Sequence, residues 1–312
     1  MKGIIIILRL MRLPNIIIIG LTAYLIRFCL FSPAFHRTGI SFFLNGNNFL
    51  LLVLAIMMTT TAGYIINDIY DRNIDKYNRG EKQIIGKIIS VKAGVYFYVI
   101  ASVLGLILSF IVAYQTKYMQ WLFFYPLATV LLWTYSYYLK RTPLWGNLFV
   151  SMFCSFVVLL IWFFEKETYT ILNISNPDEA KSLTINLVFY SVFAFFSTLH
   201  REIIKDMEDM EGDKANNCRT YPVLYGIKKT KPIVLIVQLM LLCIIIIYLI
   251  TVGKLFSIWV IIYGIICLIL PVSLSIYKLI KAKEGKDYSQ LNRIAKIIMV
   301  LGLLFLPVLS YL

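Results

Sequence analysis

Apolar runs of membrane length alternate with short polar stretches along nearly the whole chain. Reading for segments of roughly 17–25 hydrophobic residues predicts nine spans, at about 13–32, 47–66, 93–114, 119–138, 144–164, 183–200, 232–251, 255–278 and 294–312. Pro14, Pro143, Pro232 and Pro271 fall near span ends or inside a long span, where membrane helices tolerate proline. The first run follows Arg9 and Arg12, lacks a small-residue cleavage site and is followed at once by further spans, so a retained helix is expected. The fold class these runs predict is an all-α polytopic membrane bundle. The stretch 165–182, with Asn173, Asn176 and Pro177, reads as the longest extracytoplasmic loop and holds nothing catalytic.

Two of the polar interruptions share one pattern. In Asn67-Asp68-Ile69-Tyr70-Asp71-Arg72-Asn73-Ile74-Asp75 the aspartates step by three and four, which on a helix stacks Asp68, Asp71 and Asp75 on one face with Asn67 beside them. Asp206, Asp209 and Asp213 repeat those steps far downstream. Carboxylates so placed repel one another unless solvated or neutralised, and oxygen ligands suit a hard divalent ion such as Mg²⁺. A single such ladder could be a solvated turn; two matched ladders argue for a shared task. A fainter duplication surrounds them. Arg12-Leu13-Pro14-Asn15 opens the first span and the first ladder closes the second, while Arg141-Thr142-Pro143-Leu144-Trp145-Gly146-Asn147 opens the fifth and the second ladder closes the sixth. Both halves run the same way, so a parallel repeat is expected, with the ladders opposite one another in a bundle.

Composition agrees with the spans: 60% of residues are hydrophobic and only 15% charged, too apolar for a soluble chain of 312 residues. Five scattered cysteines show no paired or zinc-ligand spacing, and His36 and His200 are isolated, one expected in a loop and one at a helix end. The net charge of +14 has no soluble basic domain to carry it, which excludes a nucleic-acid reading. Of the thirty lysines and arginines, twenty-four fall on the side of the N-terminus and both ladders and six on the other. The positive-inside rule then places the N-terminus and ladders in the cytoplasm and the C-terminus outside, in the plasma membrane if the cell is bacterial or archaeal.

Acidic clusters at a cytoplasmic membrane face become, with Mg²⁺, a cationic seat for a diphosphate. Basic neighbours support this: Arg72, Lys76, Arg79 and Lys82 follow the first ladder, Arg201 and Lys205 precede Asp206, and Lys140 and Arg141 lie between spans four and five. A diphosphate whose tail lies among helices is an isoprenyl diphosphate. Its ionised allylic carbon needs a dry pocket and aromatic faces, for which Tyr64, Tyr70, Tyr135 and Tyr138 are candidates beside an otherwise ordinary interfacial aromatic belt. A cation transporter would also bury acids, but near the midplane of broken helices; these lie at span ends beside basic loops. A non-catalytic lipid-binding scaffold would not need two matched ladders.

The first ladder followed by Asn78-Arg79, the stretch Tyr135-Ser136-Tyr137-Tyr138-Leu139-Lys140-Arg141 and the run from Arg201 to Asp213 resemble the UbiA family of intramembrane prenyltransferases, as does the opening Arg12-Leu13-Pro14-Asn15. The resemblance covers essentially the whole chain. It implies one domain over 1–312, nine helices around a central cavity with cytoplasmic cap loops, and Mg²⁺-dependent transfer of a prenyl group from its diphosphate. By position it implies that Asn67, Asp68, Asp71, Asp206 and Asp209 hold metal or diphosphate, that Asp75 and Asp213 support them, that Lys140 and Lys205 touch phosphate, and that Asn15 stands at the cavity wall. The segment Gly80 to Lys87 lacks the proline-rich run frequent in that family, so a differently shaped cap loop is expected. Among the family's acceptors, the wording from Arg201 to Asp213 is most similar to the ether-lipid branch. That implies a geranylgeranyl donor and a geranylgeranylglyceryl phosphate acceptor; the alternative is an aromatic acid of the 4-hydroxybenzoate type.

Overall fold

The computed structural model describes residues 2–79, 83–252 and 258–310; the side chains of Lys2, Asn78, Arg79 and Val252 also fall outside the described residues. The chain opens with α1 (Lys2–Leu10) and α2 (Leu13–Ile26), and α2 runs through a π-helical turn, Arg27–Phe31, into α3 (Ser32–Thr38). Then come α4 (Gly46–Tyr70), α5 (Arg72–Arg79) and α6 (Val91–Thr116), followed by a 3₁₀ turn, Met119–Phe123, and α7 (Phe124–Tyr137). A second 3₁₀ turn, Leu139–Arg141, leads to α8 (Trp145–Phe164), α9 (Lys166–Ser175), α10 (Pro177–Glu208) and α11 (Met210–Ala215). The rest is α12 (Tyr221–Val252), α13 (Ile258–Tyr263), a π-helical turn at Gly264–Ile269, α14 (Leu270–Lys281) and α15 (Gly285–Ser310). Helix starts follow ordinary capping: Asn45 accepts from the Asn48 amide at 2.8 Å, Ser90 from Ala93 at 3.2 Å, and Asn176, with Pro177 behind it, from Glu179 at 3.3 Å.

Among the described residues eight helices are long and apolar enough to cross a membrane. The remaining expected span, 119–138, is the 3₁₀ turn plus the 14-residue α7. By helix rise these two pieces together extend roughly 30 Å, about one hydrocarbon thickness. The stretch 165–182 is not a loop: it is α9 and the first turn of α10, because Asn176 and Pro177 start a helix there and Leu172 packs inward. His36 lies in α3, and His200 sits fully buried inside α10, not at its end, where its Nε2 lies 2.9 Å from Gln238 Nε2 and 3.3 Å from Ser275 Oγ. The outer side of α6 leaves Val99, Ile100, Val103 and Ile107 about half exposed, an apolar face that only lipid covers well.

The chain divides into two compact units. The first comprises Met1–Thr22, Leu44–Arg141 and Glu211–Cys218. In it α4 packs along α6 and α7. Gly105 permits the approach of α7 to α6, since a Cβ would press into the Tyr125 ring, whose hydroxyl donates to the Ser102 carbonyl.

The second unit comprises Ala23–Phe43, Thr142–Met210 and Arg219–Leu312. It is built around α10, which packs on α8, α12 and α15 through a core that includes Ile203, Ile204, Met207, Val234 and Leu291. Phe193 of α10 lies against the bare backbone of Gly302 in α15, where any Cβ would collide with the ring. Gly302→Val is therefore expected to destabilise the protein by about 1–3 kcal/mol, read as a lowered thermal midpoint in detergent; an unchanged midpoint would mean the two helices do not approach as closely as described.

This unit also holds a buried ion pair. Arg27 Nη1 lies 3.1 Å from Glu165 Oε1, the other Glu165 oxygen accepts from the Phe43 amide at 2.8 Å, and the guanidinium sits 4.0 Å from the Phe42 ring centroid.

Candidate active site

The first ladder forms where a long apolar helix ends. Asp71 is the C-cap of α4, at φ −85° and ψ 0°, between the α and β regions. The hydrogen-bond ladder nevertheless continues, Asp71 N to Asn67 O at 2.9 Å and Asp75 N to Asp71 O at 2.8 Å, so the expected stacking survives the break. Asn67 and Asp71 are buried, and Asn67 Nδ2 donates to Asp71 Oδ2 at 2.7 Å. Lys140, arriving from the turn after α7, pairs with Asp71 and lies 3.4 Å from Asn67 Oδ1. Arg12 pairs with Asp68, its guanidinium 4.9 Å from the centroid of the Tyr64 ring. The first unit thus gathers Asn67, Asp68, Asp71, Asp75 and Lys140, as expected, and adds Arg12.

The electrostatics show an anionic excess. Burial alone would lower the Lys140 ammonium, but the Asp71 charge, with Tyr135 and the hydrogen bond to Asp71, holds it above the ordinary lysine range. Burial likewise works against Arg12, and Asp68 foremost, then Tyr64 and Asp75, raise it. Asp75 is pushed above the usual carboxylate range, by burial first and then by Asp71 and Asp68, with Lys140 and Arg12 offsetting only part of this. Two side-chain cations among three stacked carboxylates leave the ladder short of positive charge. The donors are all hard oxygens, so by chemistry the set fits Mg²⁺. By position, Asp68 and Asp71 are turned to their basic partners, and among the described residues no three His, Cys, Asp or Glu side chains converge closely enough to hold an ion as they stand.

The second ladder breaks at the same place. Asp209 is the C-cap of α10 at φ −91° and ψ 5°, with its amide on the Lys205 carbonyl at 2.9 Å. Within the second unit, Asn147 Nδ2 donates to Asp206 Oδ2 at 2.8 Å, Arg201 pairs with Glu202, and Asn292 Nδ2 donates to Glu208 Oε2 at 2.6 Å. Lys205, Asp206 and Asp209 are half-buried. Asp213, on α11, belongs to the first unit and is buried. The Cys218 thiol is pushed up to about 11 by burial first and then by Asp213, with a smaller contribution from Asp71, so both carboxylates act on one sulfur.

Other expected site residues stand apart. Asn15 is exposed on the first turn of α2, its amide on the Arg12 carbonyl at 2.8 Å. Arg72 is exposed, Tyr138 is 61% exposed at the end of α7, and Arg79 and Lys82 lie, in side chain or entirely, outside the described residues. Of the cap loop, Gly80, Glu81 and Lys82 are likewise outside them, while Ile85 and Ile89 form an isolated β-bridge around Gly86. A recess of about 280 Å³ beside the first ladder is lined by Asn73, Lys76, Tyr77, Ala215 and Asn216.

Two partners were not singled out from the sequence as site residues: Arg12, which grips Asp68, and Asn147, which grips Asp206. The signal for both was the duplication. In each unit a residue from the stretch opening one span holds the first aspartate of the ladder that closes the next.

Fold and site together define an all-α integral membrane protein whose long helices end in aspartate ladders. The chain belongs to the UbiA prenyltransferase family, whose profile matches residues 25–299. It is 31% identical over 254 residues to the digeranylgeranylglyceryl phosphate synthase of Methanosphaera stadtmanae, covering 80% of this chain and 82% of that one. It is 34% identical over 184 residues to the protein of the same name from Methanobrevibacter smithii, covering 57% and 59%. Among solved structures, one described as giving insight into digeranylgeranylglyceryl phosphate synthase in membranes superposes with a TM-score of 0.66 at 24% identity, over 100% of both chains. A UbiA homologue from Archaeoglobus fulgidus bound to DMAPP and Mg²⁺ superposes with a TM-score of 0.54 at 16% identity, over 97% of this chain and 99% of that one.

Proposed function

We propose that this protein moves a geranylgeranyl group from its diphosphate to a lipid-type alcohol, geranylgeranylglyceryl phosphate, in a Mg²⁺-dependent reaction. The observation that carries the reading is the pair of ladders broken at their middle aspartate with nearly the same φ and ψ, each with its first aspartate held by a residue from a span-opening stretch. The relatives named digeranylgeranylglyceryl phosphate synthase support the acceptor. The Archaeoglobus structure, described with DMAPP and Mg²⁺, supports the class of donor and the ion.

Asn67, Asp68, Asp71, Asp206 and Asp209 would hold Mg²⁺ or diphosphate, with Asp75 and Asp213 in support. The bound ion would draw charge from the departing diphosphate and so ease rupture of the allylic C–O bond. Lys140 and Lys205 neutralise phosphate charge, while Arg72, Arg79 and Arg201 add positive potential around them. Apolar helix faces exclude water from the allylic carbon, and tyrosines near the ladders, Tyr64 and Tyr135 first, present ring faces to its positive charge. Tyr138 and Asn15 are assigned to the substrate cavity. In the transfer the acceptor oxygen bonds to the allylic carbon, the C–O bond to diphosphate breaks, and the hydroxyl proton is released. The whole chain acts as one domain of two parallel halves, with nine crossings if the Met119–Tyr137 pieces make one. The bias of basic residues supports α1 and both ladders on the cytoplasmic side and the end of α15 on the other.

The test is diphosphate release from geranylgeranyl diphosphate by the purified protein, with geranylgeranylglyceryl phosphate or 4-hydroxybenzoate as acceptor. Release that requires both Mg²⁺ and the glyceryl phosphate is expected. Release with the aromatic acid alone would move the protein to the quinone branch, and no release with any acceptor would sink the enzymatic reading.

A further inference from the structure

Arg12, which pairs with the first aspartate of the ladder, is held in a costly backbone conformation. It stands between α1 and α2 at φ 53°, in the left-handed region, which costs a residue with a Cβ about 1–2 kcal/mol. Hydrogen bonds fix it on both sides: its amide donates to Arg9 O at 3.0 Å, and its carbonyl accepts from Asn15 at 2.8 Å and Ile16 at 3.3 Å. Backbone strain that persists where a charged side chain meets a carboxylate points to a function for that side chain. The break aims the guanidinium across the Tyr64 ring at Asp68, 56 residues away in sequence.

We propose that Arg12 is a tethered counter-ion that occupies Asp68 until a divalent cation displaces it, so that Arg12 and the metal compete for one carboxylate. The inference rests on the reading of Asp68 as a metal ligand. The contact is single-pronged, Nη2 to Oδ1, whereas the guanidinium fork can make two parallel bonds to a carboxylate or phosphate. The Arg12 side chain is 36% exposed against 27% for Lys140, and it holds Asp68 alone whereas Lys140 reaches both Asp71 and Asn67, so Arg12 is the less enclosed of the two cations. Charge balance points the same way. With Arg12 and Lys140 in place, Asp68, Asp71 and Asp75 retain one net negative charge, too little to hold a divalent ion strongly. Displacing Arg12 frees a second carboxylate charge for the ion and releases a guanidinium beside it, and an arriving diphosphate can accept that fork. Metal and diphosphate would then each favour the other's binding, and Arg12 would be the link between them.

Mn²⁺ titration of the full-length protein in detergent, followed by electron paramagnetic resonance with and without inorganic pyrophosphate, tests this without turnover. Arg12→Gly removes the side chain and relieves the left-handed φ, so folding is not put at risk. Mn²⁺ alone is expected to bind this variant about tenfold more tightly than wild type, a difference of about 1.4 kcal/mol. The gain in Mn²⁺ affinity conferred by pyrophosphate should shrink. Arg12→Lys, which keeps the charge, should restore most of the competition, and Tyr64→Leu, which removes only the ring beneath the guanidinium, should shift Mn²⁺ affinity the same way by a smaller factor. Unchanged or weaker Mn²⁺ binding in Arg12→Gly overturns the proposal, as does absence of Mn²⁺ binding in both proteins. Tighter binding in Arg12→Gly alongside no diphosphate release from geranylgeranyl diphosphate would retain the competition and defeat the enzymatic reading, so the two failures are distinguishable.

Discussion

Asp68→Ala and Asp206→Ala are each expected to lower prenyl transfer at least about a hundredfold, measured as diphosphate released from geranylgeranyl diphosphate at saturating Mg²⁺. Loss of an electrostatic stabiliser of the departing charge has typically this size. The two changes act on separate units and leave different partners behind. Removing Asp68 strands the Arg12 guanidinium over Tyr64, and removing Asp206 strands the Asn147 amide, which is itself buried. Asp68→Asn and Asp206→Asn keep the shape and lose the charge, so they should be nearly as slow if charge is what matters. Near wild-type turnover in either alanine variant would remove that motif from the metal assignment.

Glu165→Ala is expected to cost about 3–5 kcal/mol of stability, because it leaves a buried guanidinium without its counter-charge. Glu165 is 1% exposed and Arg27 4%, and Glu165 also accepts from the Phe43 amide, so one substitution removes an acceptor shared by two groups. Thermal unfolding in detergent should show the loss. The double variant Arg27→Met/Glu165→Leu should recover much of it, since replacing a buried pair by apolar residues of similar volume is often nearly neutral. If the double variant is no better than Glu165→Ala, the pair is not the source of the effect. Arg27 and Glu165 carry no assigned role in transfer, so in fully folded samples activity should not track this stability.

Much of this was legible because membrane helices write their length in apolar residues and the ladders write their period in aspartates. The three-and-four spacing is the same whether a helix continues or breaks, so the sequence could show that Asp68, Asp71 and Asp75 share a face but not that α4 stops at Tyr70 and Asp71 caps it. Likewise 119–138 is apolar throughout, and composition does not separate one α-helix from a 3₁₀ turn followed by a shorter helix. Glu165 lies beside Lys166 and Glu167 and reads as one member of a solvated charged run; only the return of Phe43 and Arg27 to it makes it a buried ion. By sequence His200 reads as a helix end, with Arg201 and Glu202 after it, yet α10 continues to Glu208, and Gln238 of α12 and Ser275 of α14 pack against the imidazole. Arg12 reads as part of the stretch that opens the first span, but a partner 56 residues away is not visible in local spacing.

Both ladders cap the C-terminal ends of long helices, α4 of 25 residues and α10 of 32. The aligned peptide dipoles of such a helix put roughly half a negative elementary charge at that end. The backbone itself therefore repels a bare diphosphate from either ladder, in addition to the aspartates, unlike the helix N-termini that bind phosphate elsewhere. An isoprenyl diphosphate can approach these ends only in company with cations, so a donor analogue whose headgroup cannot chelate Mg²⁺ should be ignored however well its tail fits the helices.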